Sequence, residues 1–474
     1  MALWIEFLRC LEALRPACAR GRTFAWMVLV VAGFAARPDL AGVTSFVRAG
    51  WLKGATYRRL LALFHSPALR LPDLTRAWLR LAVTLFQPVT VGEHLVCLAD
   101  GCKVPKEGKK MPAVKSLHVE SGNNSKPPFI MGHSFQAVSL LVHAGFGQVA
   151  AVPLAARIHE GVVTCNANRR SLLDKLAALL GELACSFGGR PLLLVADAYY
   201  ASGKLIAPLR KGGHHLVTRV RINAVAFHPA PKPSRPRRGR PRIYGVKVYL
   251  RRLLSRDSPF FISAPSPVYG EKDVVLQYRY LDLLWRPAHG LVRFVLVRHP
   301  TRGNLILLTT HLELDPLQVI ALYGYRFKIE VAFKQAKYTL GAQAYHFWMA
   351  DMKPIRKGSG DQHLHHETAT YRQHVQRKLD AYHRYASLAC VAHGLLLHLA
   401  INFPEAVWHS FRSWMRTMDT TRVPSEHVAA EALRMDLPDY LLRAPVADLL
   451  RKMIVDNVDP DLAPPWLNLD KRAA

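Results

Sequence analysis

Residues 191–196 read PLLLVA, six consecutive apolar residues that stop at Asp197. A run that short and apolar at every position suits a strand buried on both faces, the kind found inside a sheet covered by helices. Residues 93–100, EHLVCLAD, form a second short apolar run that ends in an aspartate, Asp100. Two further strand-like runs lie between them, 134–142 (SFQAVSLLV) and 148–156 (QVAAVPLAA). A helix follows over 170–187, with Leu172, Leu173, Leu176 and Leu180 on its apolar side. The order from 93 to 197 is strand, strand, strand, helix, strand, which is an α/β pattern. In an open sheet, sites tend to be built at strand ends, so Asp100 and Asp197 are the first candidates.

The flanking sequence divides the 474 residues further. Residues 1–88 read as helices punctuated by Pro38, Pro67 and Pro72, with arginines beside leucines in 56–65 and 74–86. This stretch is either a helical domain that touches DNA or a packing subdomain with solvated arginines. Residues 89–204 form the first part of an α/β core, with a basic loop expected at Lys103, Lys106, Lys109, Lys110 and Lys115. Residues 205–312 carry short β-type runs at 214–220, 246–250, 272–280, 292–297 and 305–309. Within them, 229–242 (PAPKPSRPRRGRPR) reads as an exposed, flexible basic loop suited to phosphate contact. Residues 313–345 return to a strong helix pattern and form the second core part, and 346–474 form a helical C-terminal region.

Lys and Arg total 64 against 34 Asp and Glu, a net charge of +30. That balance argues against an ordinary metabolic enzyme and for a polyanion partner, most simply nucleic acid. The longest apolar run, 24–36, is too short for the roughly 20 residues of a spanning helix and reads as a buried helix. Glu6 and Glu12 interrupt the N-terminal apolar stretch, so no secretory or membrane segment is expected. Seven scattered cysteines, none in a CxxC pair, fit a reducing compartment and no zinc ribbon. The HLHHE run holding His363, His365 and His366 lacks spaced partners and reads as a polar loop. Trp285 reads as a core residue, with base stacking as its other reading.

The chemistry concentrates in 316–340, PLQVIALYGYRFKIEVAFKQAKYTL. On a single helix at about 100° per residue, Arg326, Glu330, Lys334 and Lys337 all fall within about 60° of Tyr323. Leu322, Ile329, Ala332, Phe333, Ala336 and Leu340 take a different arc and suit a core. One carboxylate thus shares a stripe with cations and a phenol, as wanted where an acid holds a metal and its neighbours hold phosphates. Each acid also has a plain structural reading: Asp100 as a turn residue before Gly101, Asp197 as a helix cap, Glu330 as a partner of Lys334.

The spacing Tyr323-x2-Arg326-x3-Glu330-x6-Lys337 resembles the Tyr-Arg-Glu-Lys signature of bacterial DDE transposases of the insertion-sequence-four type. The resemblance covers about residues 90–345. It implies a ribonuclease H-like mixed sheet with flanking helices, a β-rich insertion between the second aspartate and the glutamate, and helical regions at both ends. It implies that Asp100, Asp197 and Glu330 are the catalytic metal ligands and that Tyr323, Arg326 and Lys337 contact transposon-end DNA. Two Mg²⁺ ions are expected, with Mn²⁺ as a substitute, since hard carboxylate oxygens suit them and a metal pair can serve both attacking and leaving oxygens.

The function implied is a transposase that cleaves its element's inverted-repeat ends and joins them to target DNA. The alternatives are a non-catalytic DNA-binding descendant and a ribonuclease H-like nuclease without strand transfer. DNA is the expected partner, with no membrane, a homodimer or larger assembly in the synaptic complex, and a cytoplasmic, nucleoid-associated location in a bacterium. The charge makes one prediction. If phosphate contacts dominate, DNA affinity measured by anisotropy falls roughly a thousandfold or more between about 50 and 200 mM salt, the drop for about six contacts. A flat response would remove the electrostatic argument.

Overall fold

The computed structural model describes residues 1–119, 128–159, 161–163, 171–231, 239–254, 259–356, 358 and 362–467. Half of the basic stretch at 229–242, residues 232–238, lies outside them. The chain divides into two compact units: residues 1–88, 101–169 and 331–474 form one, and residues 89–100 and 170–330 form the other.

The second unit is built on a mixed sheet. Its central strands, His94–Pro105, Leu192–Ala196 and His215–Arg219, run parallel, with Leu192–Ala196 in the middle. Every residue of Leu192–Ala196 is buried, as is Leu95–Ala99 of its neighbour. The sheet continues from His215–Arg219 through antiparallel Gly303–Thr309, Gly290–His299 and Val275–Trp285, then Val225–Pro229 and Tyr244–Tyr249. The helix Leu172–Ser186 starts at Ser171 with a reciprocal capping box to Asp174. Trp285 is buried, edge-on to Phe294 at 6.4 Å, so it belongs to the core.

The stretch 316–340 departs from the single helix expected. Pro316–Gly324 is α-helical, Tyr325–Phe327 is a 3₁₀ turn, and Lys328–Tyr338 resumes the α-helix. The first segment starts where Asp315 accepts from the N–H groups of Leu317 at 2.8 Å and Gln318 at 3.1 Å, with Pro316 in the first turn. The break follows Gly324, a poor helix former, and a loop of the insertion lies against it. Val268 packs so close to Gly324 that a Cβ there would meet it at 3.3 Å. The Tyr269 ring lies 6.1 Å from Tyr325 and 6.0 Å from Phe327, and Lys328 Nζ sits 4.1 Å above it.

The first unit holds the helices Ala2–Glu12, Gly21–Ala36, Thr44–Ala49, Thr56–His65 and Leu71–Leu85. It also holds an antiparallel sheet of Lys115–His118, Phe129–His143 and Val149–Ile158. Its axis is the 34-residue helix Ala369–Asn402. Among the described residues this one helix is long and apolar enough to cross a membrane, and 83% of its apolar window is buried in the fold. Of the basic loop expected after Asp100, Lys103 lies on the strand that runs to Pro105 and Lys115 opens the next strand, while Lys106, Lys109 and Lys110 lie in the loop between them. Lys106 is buried: Nζ donates to the carbonyls of Gln343 and Tyr345 and sits 4.1 Å over the Tyr345 ring. Burial pushes its pKa down to about 8, so this lysine serves packing and not phosphate contact.

Trp78 fixes one contact of the long helix. Its ring lies against Gly394, and Nε1 donates to the Pro153 carbonyl at 2.9 Å. A Cβ on Gly394 would stand 2.2 Å from that ring. Alanine is the better helix former by about 1 kcal/mol, but overpacking a filled core costs about 1–3 kcal/mol. Gly394→Ala is therefore expected to lower the melting temperature, and a melt unchanged or raised would contradict this packing.

Candidate active site

The parallel ladder pairs Ala99 with Ala196, so Asp100 and Asp197 are the next residues on adjacent strands. Neighbouring strands lie about 4.8 Å apart, which brings the two carboxylates to one edge of the core. The ladder on the other side pairs Ala196 with Thr218, which sets Arg219 in the same row. Asp197 caps the 3₁₀ turn Ala198–Tyr200, its Oδ1 accepting from the Tyr199 N–H at 2.9 Å. Its carbonyl accepts from Thr218 Oγ1 at 2.6 Å. The capping role is thus real and orients this carboxylate.

Arg326 joins the remaining acids. Its Nη1 lies 3.2 Å from Asp100 Oδ2, and its Nη2 lies 2.7 Å from Glu330 Oε1. Glu330 pairs with Arg326 one turn earlier, not with Lys334. The Arg326 and Asp100 side chains are 22% and 19% exposed, whereas Glu330 is 54% exposed and faces solvent. Burial alone would lower the guanidinium's pKa; Glu330, Tyr323 and Asp100 outweigh it and hold the group above its ordinary value. Tyr323 is driven the other way from a reactive phenolate. Burial raises its pKa, Asp197 adds to the rise, and Arg326 and Arg219 only partly offset it, so the phenol stays protonated.

Five of the six residues singled out from sequence therefore stand in one unit: Asp100, Asp197, Tyr323, Arg326 and Glu330. Lys337 belongs to the other unit; it is exposed, with Nζ 5.0 Å from the Tyr338 ring. Sequence reasoning missed Arg219 and Thr218. Their signal was the run at 214–220, which was grouped with the insertion although its strand lies parallel beside Leu192–Ala196.

Three carboxylates are the hard oxygen donors that a divalent ion of the Mg²⁺ class prefers, but in the protein alone their oxygens do not all lie within 4.8 Å of one another, and Arg326 stands between Asp100 and Glu330. Arg326 supplies the positive charge between two of them in the protein alone. Removing it leaves Asp100 and Glu330 without their cation. Arg326→Ala is expected to lower the melting temperature in chelator-treated buffer, and added Mg²⁺ is expected to raise it by more than in the native chain. Equal Mg²⁺ shifts in both proteins would mean that these carboxylates do not share a cation-binding site.

A model of the DDE superfamily endonuclease family matches residues 7–256, more than half of the chain. The match takes in Asp100 and Asp197 and ends before Glu330. No protein with a curated description matches. The mixed sheet with its flanking helices is a ribonuclease H-like α/β fold.

Proposed function

The chain belongs to the DDE superfamily endonucleases, and on that premise we propose that it is a DNA transposase of the insertion-sequence-four type. Endonucleases of this family act on DNA and generally use divalent metal ions. The observation that carries the reading is the register of the parallel strands, with Asp100 beside Asp197 and Arg326 tying Asp100 to Glu330.

In this reading Asp100, Asp197 and Glu330 hold two Mg²⁺ ions. The ions would supply an activated nucleophile and neutralise charge on the attacking and leaving oxygens. The protein's own groups do the rest. The Tyr199 N–H orients Asp197, and Arg326 sets the distance between Asp100 and Glu330. Arg219, Tyr323 and Arg326 offer cations and a protonated phenol to the phosphates of a transposon end, and Lys337, in the other unit, is a separate exposed cation for DNA. The net charge of +30 supports a DNA partner, met in the bacterial nucleoid. Two ends would be brought together by a homodimer or larger assembly.

The test is Mg²⁺-dependent cleavage of DNA carrying the element's ends, by the native chain and by Glu330→Ala. The variant is expected to bind DNA normally and to lose cleavage by more than the roughly 10–100-fold typical of outer-shell partners of a metal. Equal cleavage by both would overturn the carboxylate assignment. Tight binding without cleavage by either would favour a non-catalytic descendant. The family's endonuclease description also supports a nuclease that cuts without joining. Pre-cut ends incubated with target DNA separate the two, since a joined product requires strand transfer.

A further inference from the structure

At the other end of the sheet's core, two parallel strands and the end of an antiparallel one bring a second set of side chains together. His94 is the first residue of His94–Pro105, His215 is the first of His215–Arg219, and His311 lies two residues past Gly303–Thr309. The ring centroids are 4.9 Å apart for His94 and His215, 5.4 Å for His94 and His311, and 4.4 Å for His215 and His311. One nitrogen from each ring lies within 4.8 Å of the others. Asp100 is six residues along the same strand from His94, about 20 Å at 3.3 Å per residue, so this cluster is separate from the acids.

We propose that His94, His215 and His311 bind a divalent transition-metal ion, Zn²⁺ in the first instance. Three imidazoles with no carboxylate or thiolate among the donors suit a borderline ion and not Mg²⁺ or Ca²⁺. Tetrahedral Zn–N bonds of about 2.0–2.1 Å put nitrogens about 3.4 Å apart, so the rings need to close by little more than about 1 Å. Water would take the fourth position.

Two features of the surroundings favour a ligand set over three packed rings. His215 Nδ1 lies 3.2 Å from Thr310 Oγ1, which also accepts from the Leu216 N–H at 2.9 Å. Donation from Nδ1 to that hydroxyl leaves Nε2 bare, as the orienting partner of a metal-bound histidine does. Second, the rings of His94 and His311 have no hydrogen-bond partner among the described residues, so their nitrogens are not committed elsewhere.

A bound ion would join the starts of two core strands to the loop that leads into the Asp315-capped helix. That helix runs on toward Arg326 and Glu330, so the site is a structural clip beneath the acids.

The test is calorimetry of the chelator-stripped full chain with Zn²⁺, followed by Co²⁺ substitution. The expected result is one equivalent of Zn²⁺ and an intense, tetrahedral-type Co²⁺ spectrum without a thiolate charge-transfer band. Both are lost in His94→Ala and in His311→Ala, and both survive in a chain with His363, His365 and His366 all changed to alanine. Each variant's melt in chelator is compared with the native chain; His311 is in a loop, so its variant carries the test if His94→Ala folds poorly. Absence of saturable Zn²⁺ binding, a six-coordinate Co²⁺ spectrum, or binding lost only in the triple variant would overturn the proposal.

Discussion

Everything in the acidic site depends on one register. Leu95–Ala99 pairs in parallel with Leu192–Ala196, residue for residue, and both runs are fully buried. A slip of one position would leave the leucines covered, because both faces are buried, but would carry an aspartate out of line with its neighbour or into the buried layer. Burying an unpaired carboxylate costs far more than any single methyl group gains. The apolar runs therefore stop where the core stops, and the two aspartates emerge together because the two strands leave the core together. The same reasoning brings Arg219 into the row, one strand further on.

The site then faces an electrostatic problem that the rest of the unit solves. Gathering acids is unfavourable even in a chain that carries +30 overall, because only charges within a few ångströms act strongly through solvent and salt. Arg326 is one such nearby charge. It reaches both Asp100 and Glu330 while remaining mostly covered, and the raised pKa of its guanidinium is the counterpart of that arrangement. A guanidinium presents several donors in a plane and can serve two carboxylates at once; a lysine in its place would act as a single point charge.

How much of this was legible in the sequence follows from the range of each interaction. Asp100 and Asp197 were legible because a transition from apolar to acidic is written locally. Glu330 and Arg326 were legible from a spacing within one segment. The break at Tyr325–Phe327 was not, since nothing in YRF forbids an α-helix, and the residues packed against it, Val268 and Tyr269, lie more than fifty residues earlier. Lys106 looked like part of a basic loop because its partners, Gln343 and Tyr345, lie more than two hundred residues away. His94, His215 and His311 have no mutual spacing that a motif could capture. Only the strand order brings them together.

The β-rich stretch after Asp197 is more than an appendage between two parts of a core. Gly303–Thr309 pairs with His215–Arg219, so its antiparallel strands extend the same sheet that carries the aspartates. At its other extreme, the turn around Val268 and Tyr269 presses on Gly324 and stacks near Tyr325 and Phe327. The stretch thus touches the site twice: once through the sheet that carries Asp100 and Asp197, and once through the turn that lies against the helix break ahead of Glu330. A 3₁₀ turn has about 3.0 residues per turn in place of 3.6, so inserting one rotates everything after it relative to a continuous helix. The side-chain directions of Arg326 and Glu330 therefore follow from that turn, and Val268 and Tyr269 of the insertion are the residues packed beside it.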